Sequence, residues 1–260
     1  MSGRADRAGA PGSFLSVREL DPAALAALVD RSVAIAADPA AVEPCLTGAV
    51  VATLFERTST RTRTAFSVGA LRLGARVVNY EPGSLQLETG ESIEDTVRVL
   101  GGMLDGIVIR GVRTRAGLAA LLAAGAPPLI NAMAREEHPT QAVCDLATMR
   151  RHVDGLAGIS VLYVGEGNNS ASALAYALAR VPGARLTLHT PPGYGLPDDL
   201  FAEAVADARA TGAEIRRCAD PAELPDSVDV VYTTRWQTTG TSKPDPAWRE
   251  AFRPYHVDRA

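Results

Sequence analysis

The sequence predicts an α/β protein made of two doubly wound parallel-sheet domains with an active-site cleft between them. Short apolar runs alternate with helical patterns from Ala49 to Asn131, and again from Ile159 to Tyr232. Such alternation implies parallel strands covered on both faces. A chain of 260 residues, 47% hydrophobic and 22% charged, is long enough for two modest cores. The residues of distinctive chemistry fall just after strands, where ligands of open parallel sheets bind.

Residues 1 to 13 read as a flexible, glycine-rich tail. Asp21-Pro22 then opens an Ala/Leu-rich helix to about Ala37, with proline in its first turn. The first series follows as strand (Ala49–Phe55), helix (Arg61–Leu73), strand (Ala75–Tyr80), loop (Glu81–Glu91), helix (Ser92–Gly102), strand (Gly106–Arg110), helix (Thr114–Ala124) and strand (Pro128–Asn131). Thr140 to His152 is helical, with Ala142, Val143, Leu146 and Met149 on one stripe. Val153-Asp154-Gly155 closes the first domain, so the boundary falls between 1–153 and 154–260. The second series runs strand (Ile159–Val164), helix (Ser170–Arg180), strand (Arg185–His189), helix (Asp198–Thr211), strand (Glu214–Arg217) and strand (Val228–Tyr232).

Composition narrows the function. No apolar run approaches the roughly 20 residues that cross a bilayer, and Met1 to Phe14 lacks the apolar core of a secretory signal, so the chain is expected in the cytoplasm. A formal charge of −4 speaks against a nucleic-acid partner. The three cysteines, Cys45, Cys144 and Cys218, show no C-x-x-C spacing and are expected to be buried thiols. Neither a metal nor a cofactor is implied.

The most informative stretch is Phe55-Glu56-Arg57-Thr58-Ser59-Thr60-Arg61-Thr62-Arg63. Hydroxyls and guanidinium groups at a strand-to-helix turn combine open backbone N–H groups, the positive end of the helix dipole and bidentate cations. That set suits a phosphate. A capping serine beside solvated arginines is the bland alternative, and five such residues in a row weigh against it. Arg110 ends a strand, and His138, placed before Pro139, is biased away from helix.

In this order, Ser59-Thr60-Arg61-Thr62-Arg63, Arg110 and His138-Pro139-Thr140-Gln141 resemble the signature of the aspartate and ornithine carbamoyltransferases. The resemblance extends from about Phe14 to Val257. It implies transfer of a carbamoyl group from carbamoyl phosphate to an amine acceptor, an amino acid or related metabolite. Ser59, Thr60, Arg61 and Thr62 would hold the phosphate, with Thr62, Arg110 and His138 around the carbonyl oxygen and Gln141 close by. Gln86, in the loop Gly83–Ser92, would reach the phosphate of a neighbouring subunit, which implies at least a homotrimer. Glu88 and Thr89 depart from the cationic residue usual in that loop.

The acceptor side divides. Gly165-Glu166-Gly167-Asn168-Asn169 resembles the ornithine-type turn that binds the amino acid's carboxylate, which assigns Asn168 and Asn169 to the acceptor. Thr234 stands where ornithine-type members place an aspartate, while Arg235 and Gln237 resemble the aspartate type. An anionic or neutral acceptor tail is therefore expected rather than a cationic one. The family pattern normally continues beyond Tyr255-His256-Val257, so the chain reads as a fragment or a short member. A non-catalytic or partner-completed metabolite-binding relative is the alternative. A nicotinamide site fits less well, because Ser170 replaces the third glycine and His189 stands where a ribose-binding acid is expected.

Overall fold

In the computed structural model, residues 12–56, 58–81, 83, 85, 90–111, 113–238 and 242–258 are described. The first sheet contains β1 (Val50–Phe55), β2 (Arg76–Tyr80), β3 (Gly106–Arg110) and β4 (Leu129–Met133). Its order is β2-β1-β3-β4, with every neighbouring pair parallel. The connecting helices are α2 (Thr60–Arg72), α3 (Ile93–Gly101) and α4 (Arg115–Ala123).

Strand alternation decides which helix covers which face. Ala52, Leu54, Ile107 and Ile109 pack with Val97 and Leu100 of α3 and Leu118 and Leu121 of α4. Phe55, Val108 and Ala132 form a separate cluster, joined by Phe66 of α2. Full burial of a large apolar side chain contributes about 1.5–3 kcal/mol, so the face under α3 and α4 is firmly held. By the same alternation Arg110 shares the face of Val108, on the α2 side.

β4 runs two residues beyond the expected Asn131, and its end is irregular. Register shifts between Ile109 and Arg110, which sets Arg110 opposite Met133. Met133 has a φ of 153°, a conformation that residues with a side chain seldom adopt. Asn131 supports it: its Oδ1 accepts from the Met133 N–H at 3.0 Å, and its Nδ2 donates to the Leu15 carbonyl at 2.8 Å. The bulge lies where Arg110 leaves the sheet, a usual place for redirecting a side chain.

The second sheet contains β5 (Ser160–Val164), β6 (Arg185–His189), β7 (Glu214–Cys218) and β8 (Val230–Thr233), ordered β7-β6-β5-β8 and again all parallel. With it belong α1 (Pro22–Ala37), α5 (Pro139–His152), α6 (Asn169–Leu178), α7 (Asp198–Ala208) and α8 (Trp248–Phe252). Every residue of α6 from Ala171 to Leu178 is buried, which its alanine-rich, uncharged sequence permits.

Two compact units result. One holds the described residues through Ser16 with Asp38–Arg135, and the other Val17–Ala37 with the described residues from Glu136. Helices α1 and α5 thus fall in the unit of the second sheet, although they precede residue 153. The reason is the α5 stripe: Ala142, Val143, Leu146 and Met149 are buried as α5 packs against α1 and α6.

The cysteine expectation needs correction. Only Cys218 is buried, whereas Cys45 and Cys144 are exposed. Cys45 lies in the loop before β1, and Cys144 lies off the buried stripe of α5. No helix among the described residues is long and apolar enough to cross a membrane.

Candidate functional site

Each sheet has one point where the chain reverses its direction of growth, and ligands of such sheets bind beyond the strand ends there. In the first sheet that point lies between β1 and β3. The turn after β1 leads to Ser59, which takes the N-cap position of α2 in an extended conformation without a side-chain cap hydrogen bond. The open N–H groups at the start of α2 lie beside Arg110 at the end of β3. Arg110 Nη1 donates to Thr62 Oγ1 at 2.8 Å, so these two predicted residues meet. A guanidinium and a hydroxyl at a helix N-terminus are the components of a clamp for an anion and a polarised carbonyl.

Behind them Glu56 ties the strand ends together. Its N–H donates to the Arg110 carbonyl at 2.9 Å, and its carboxylate pairs with Arg113 at 3.2 Å. Gly111 makes room: a Cβ there would lie 2.1 Å from Glu56 Oε2. Arg63 is directed to Glu81, which removes it from the basic spot expected to face a phosphate. Arg61 lies on the outer stripe of α2 with Thr60, Thr64, Val68 and Arg72. Arg57, Gln86, Glu88 and Thr89 lie outside the described residues.

In the second sheet the reversal lies between β5 and β8, and the remaining candidates gather around it. His138 is the N-cap of α5 and is 7% exposed. Pro139 is the first residue of the helix rather than the residue before it, since its missing N–H is unneeded there. The His138 N–H donates to the Asn169 carbonyl at 3.0 Å, which joins the histidine to the turn after β5. Asn168 caps α6, its Oδ1 accepting from the N–H groups of Ser170 and Ala171 at 3.0 and 3.2 Å. Its Nδ2 donors are the part suited to a carboxylate.

Gln141 lies in the first turn of α5 and donates from Nε2 to Asp145 Oδ1 at 3.0 Å. Its carbonyl is thereby the part turned toward any N–H donor. Burial pushes the Asp145 carboxyl up to about 6, against the opposing effect of Gln141 and the nearby Tyr232 hydroxyl. Thr234, Arg235 and Gln237 follow β8. Thr234 packs over Gly165, where a Cβ would lie 3.6 Å from its Cγ2, and Arg235 is exposed. His189, the residue weighed against a dinucleotide site, is a buried structural group: its Nδ1 is 2.9 Å from the Cys218 carbonyl, and its ring lies 4.4 Å from that of Tyr255.

Sequence reasoning missed the Glu166 and Lys243 pair. Glu166 Oε2 accepts from the N–H and Oγ1 of Thr238, each at 2.9 Å, and its Oε1 pairs with Lys243. An acid inside a Gly-x-Gly turn was the available signal. Nothing local in the sequence names its partner.

Comparisons with known proteins bear on the family and the fold. Residues 13–151 match the carbamoyl-P binding domain of the aspartate/ornithine carbamoyltransferases, and residues 157–260 match their Asp/Orn binding domain. The ornithine carbamoyltransferase of Acidothermus cellulolyticus is 36% identical over 250 residues, covering 94% of this chain and 78% of the relative. That of Methanothermobacter thermautotrophicus is 37% identical over 216 residues, covering 83% and 71%. Among solved structures, the anabolic ornithine carbamoyltransferase of Campylobacter jejuni superposes with a TM-score of 0.85 at 28% identity, over 95% of this chain and 80% of that one. The aspartate transcarbamoylase of Trypanosoma cruzi, in complex with carbamoyl aspartate and phosphate, gives a TM-score of 0.77 at 28% identity, over 86% and 72%.

Proposed function

The chain belongs to the aspartate/ornithine carbamoyltransferase family, and on that premise we propose that it moves the carbamoyl group of carbamoyl phosphate to the amine of an acceptor whose tail is anionic or neutral. The observation that carries the proposal is the Thr62 and Arg110 pair at the open N-terminus of α2. Ser59, Thr60, Arg61 and Thr62 hold the phosphate there. Thr62, Arg110 and His138 stabilise the oxyanion that forms when a neutral amine attacks the carbonyl carbon. Gln141, with its Nε2 held by Asp145, accepts from the carbamoyl NH2. The new C–N bond forms as the C–O bond to phosphate breaks, and the amine proton leaves with the phosphate. No separate general base is required by that route.

Asn168 and Asn169 orient the acceptor's carboxylate, while Arg235 and Gln237 receive its tail. Thr234 offers no charge to balance an ammonium. We further propose a homotrimer, in which the loop carrying Gln86 serves a neighbouring subunit; the absence of any buried residue on α2 supports a surface covered by another copy.

Ureido-product formation from carbamoyl phosphate, assayed across a panel of amino acids with anionic, neutral and cationic tails, tests the reading. Product is expected with acceptors of the first two kinds. Absence of product with every amine would overturn carbamoyl transfer.

A further inference from the structure

We infer that Lys243 is a built-in ammonium that fills a cation site beside the acceptor turn and thereby selects against acceptors keeping a second, unreacting ammonium. The inference rests on the acceptor assignment above, and it adds the residue that sets charge preference.

The site is built rather than incidental. The Lys243 side chain is only 4% exposed and pairs with Glu166. Its Nζ lies 4.6 Å from the centre of the Tyr194 ring, 4.9 Å from that of Phe252 and 5.3 Å from that of Trp248. The rings brace one another: Tyr194 and Phe252 are 4.9 Å apart, and Trp248 meets Phe252 edge-on at 5.6 Å. Three aromatic faces and one carboxylate form a cage for an ammonium, attractive because a desolvated cation gains most from ring quadrupoles. A lysine whose only task is solubility keeps its head in water. This one does not.

Position gives the cage its consequence. Glu166 lies in the turn between β5 and α6, two residues before Asn168, and Thr234 packs over the adjoining Gly165. Its carboxylate is the negative group nearest in sequence to the proposed acceptor residues Asn168 and Asn169. Both oxygens are engaged, Oε2 by Thr238 and Oε1 by Lys243. A diamino acid such as ornithine attacks through one neutral amine and keeps the other as ammonium. With Thr234 uncharged and Glu166 neutralised from within, that ammonium meets no counter-charge from either residue. An acceptor with a carboxylate or amide tail meets no such mismatch.

Lys243→Ala vacates the cage, and propylammonium chloride is the probe, compared with sodium chloride at equal ionic strength. Millimolar propylammonium should raise the Tm of the variant, or its folded yield when it is refolded in the amine, while leaving the parent protein and the Glu166→Gln/Lys243→Ala double variant unmoved. Kinetically, the kcat/KM of Lys243→Ala for ornithine relative to an anionic acceptor should rise by roughly tenfold or more, mainly through the ornithine KM. No response of the variant to amine overturns the cage. A clear amine response with an unchanged acceptor ratio overturns its role in specificity. If the parent makes no ureido product from any amine, carbamoyl transfer fails as a reading, and the amine response still decides whether the cage exists.

Discussion

Thr62 and Arg110 are 48 residues apart and meet at 2.8 Å, which makes single residues the scale at which the chemistry is sharpest. Arg61→Ala should weaken binding of inorganic phosphate or carbamoyl phosphate by about 1.5–3 kcal/mol, roughly 10- to 150-fold, through loss of a charge-assisted contact. Calorimetric titration checks this, and unchanged affinity would falsify the phosphate role. Asp145 gives a pH signature. Its carboxyl is raised from 3.8 to about 6 by burial, so between those values the folded protein holds a proton that the unfolded chain has released. Stability from this group is therefore undiminished below pH 4, falls as pH rises to about 6, and stays lowered above it by roughly 2–3 kcal/mol. Asp145→Asn keeps an oxygen for Gln141 and should raise Tm at pH 7.5 with little effect at pH 4; an equal effect at both values would rule the account out. The hydroxyl and guanidinium turn was legible because those residue types are adjacent in sequence. Glu81 as the partner of Arg63, and Lys243 as the partner of Glu166, were not, because each pairing is made by the fold between distant segments.

At the scale of elements, the alternation of short apolar runs with helical stripes located every strand of both sheets to within two residues, since a parallel sheet covered on both faces leaves continuous apolar runs. What escaped was where the pattern is broken for a reason. β4 continues through Asn131 to Met133, whose unusual φ is supported by a side chain of its own strand, and polarity alone gave no sign of that. α8 is too short to show a helical period, and its buried Trp248 and Phe252 hold it through ring packing. The turn between β5 and α6 shows how closely an element can be constrained. A Cβ on Gly167 would lie 2.1 Å from Leu196 N and 2.2 Å from Gly195 C, and backbone atoms cannot rotate away as a side-chain tip can. Gly167→Ala should therefore lower stability by roughly 3 kcal/mol or more, read as a reduced urea midpoint. In whatever protein remains folded, it should raise the acceptor KM more than that of carbamoyl phosphate.

At the scale of the whole molecule, the first sheet's outer helix raises the question of assembly. α2 has 13 residues and none is buried, although a helix covering a sheet ordinarily hides one stripe. Val68 is 39% exposed, Leu71 is 57% exposed, and Val78 on the neighbouring strand is 37% exposed. Basic Arg72 lies beside Val68 on this outer surface, so the surface mixes apolar and cationic groups as the margin of an interface between copies does. A closed ring follows most simply if one face of each copy meets a different face of the next, and three is the smallest such ring with shared sites. Sedimentation velocity at micromolar concentration should give about three chains per particle. Val68→Glu combined with Leu71→Glu should shift the population toward monomer and lower carbamoyl-transfer activity together with assembly, because the loop carrying Gln86 would lose the subunit it serves. A stable monomer with full activity would refute the shared site and leave that loop to act within its own chain.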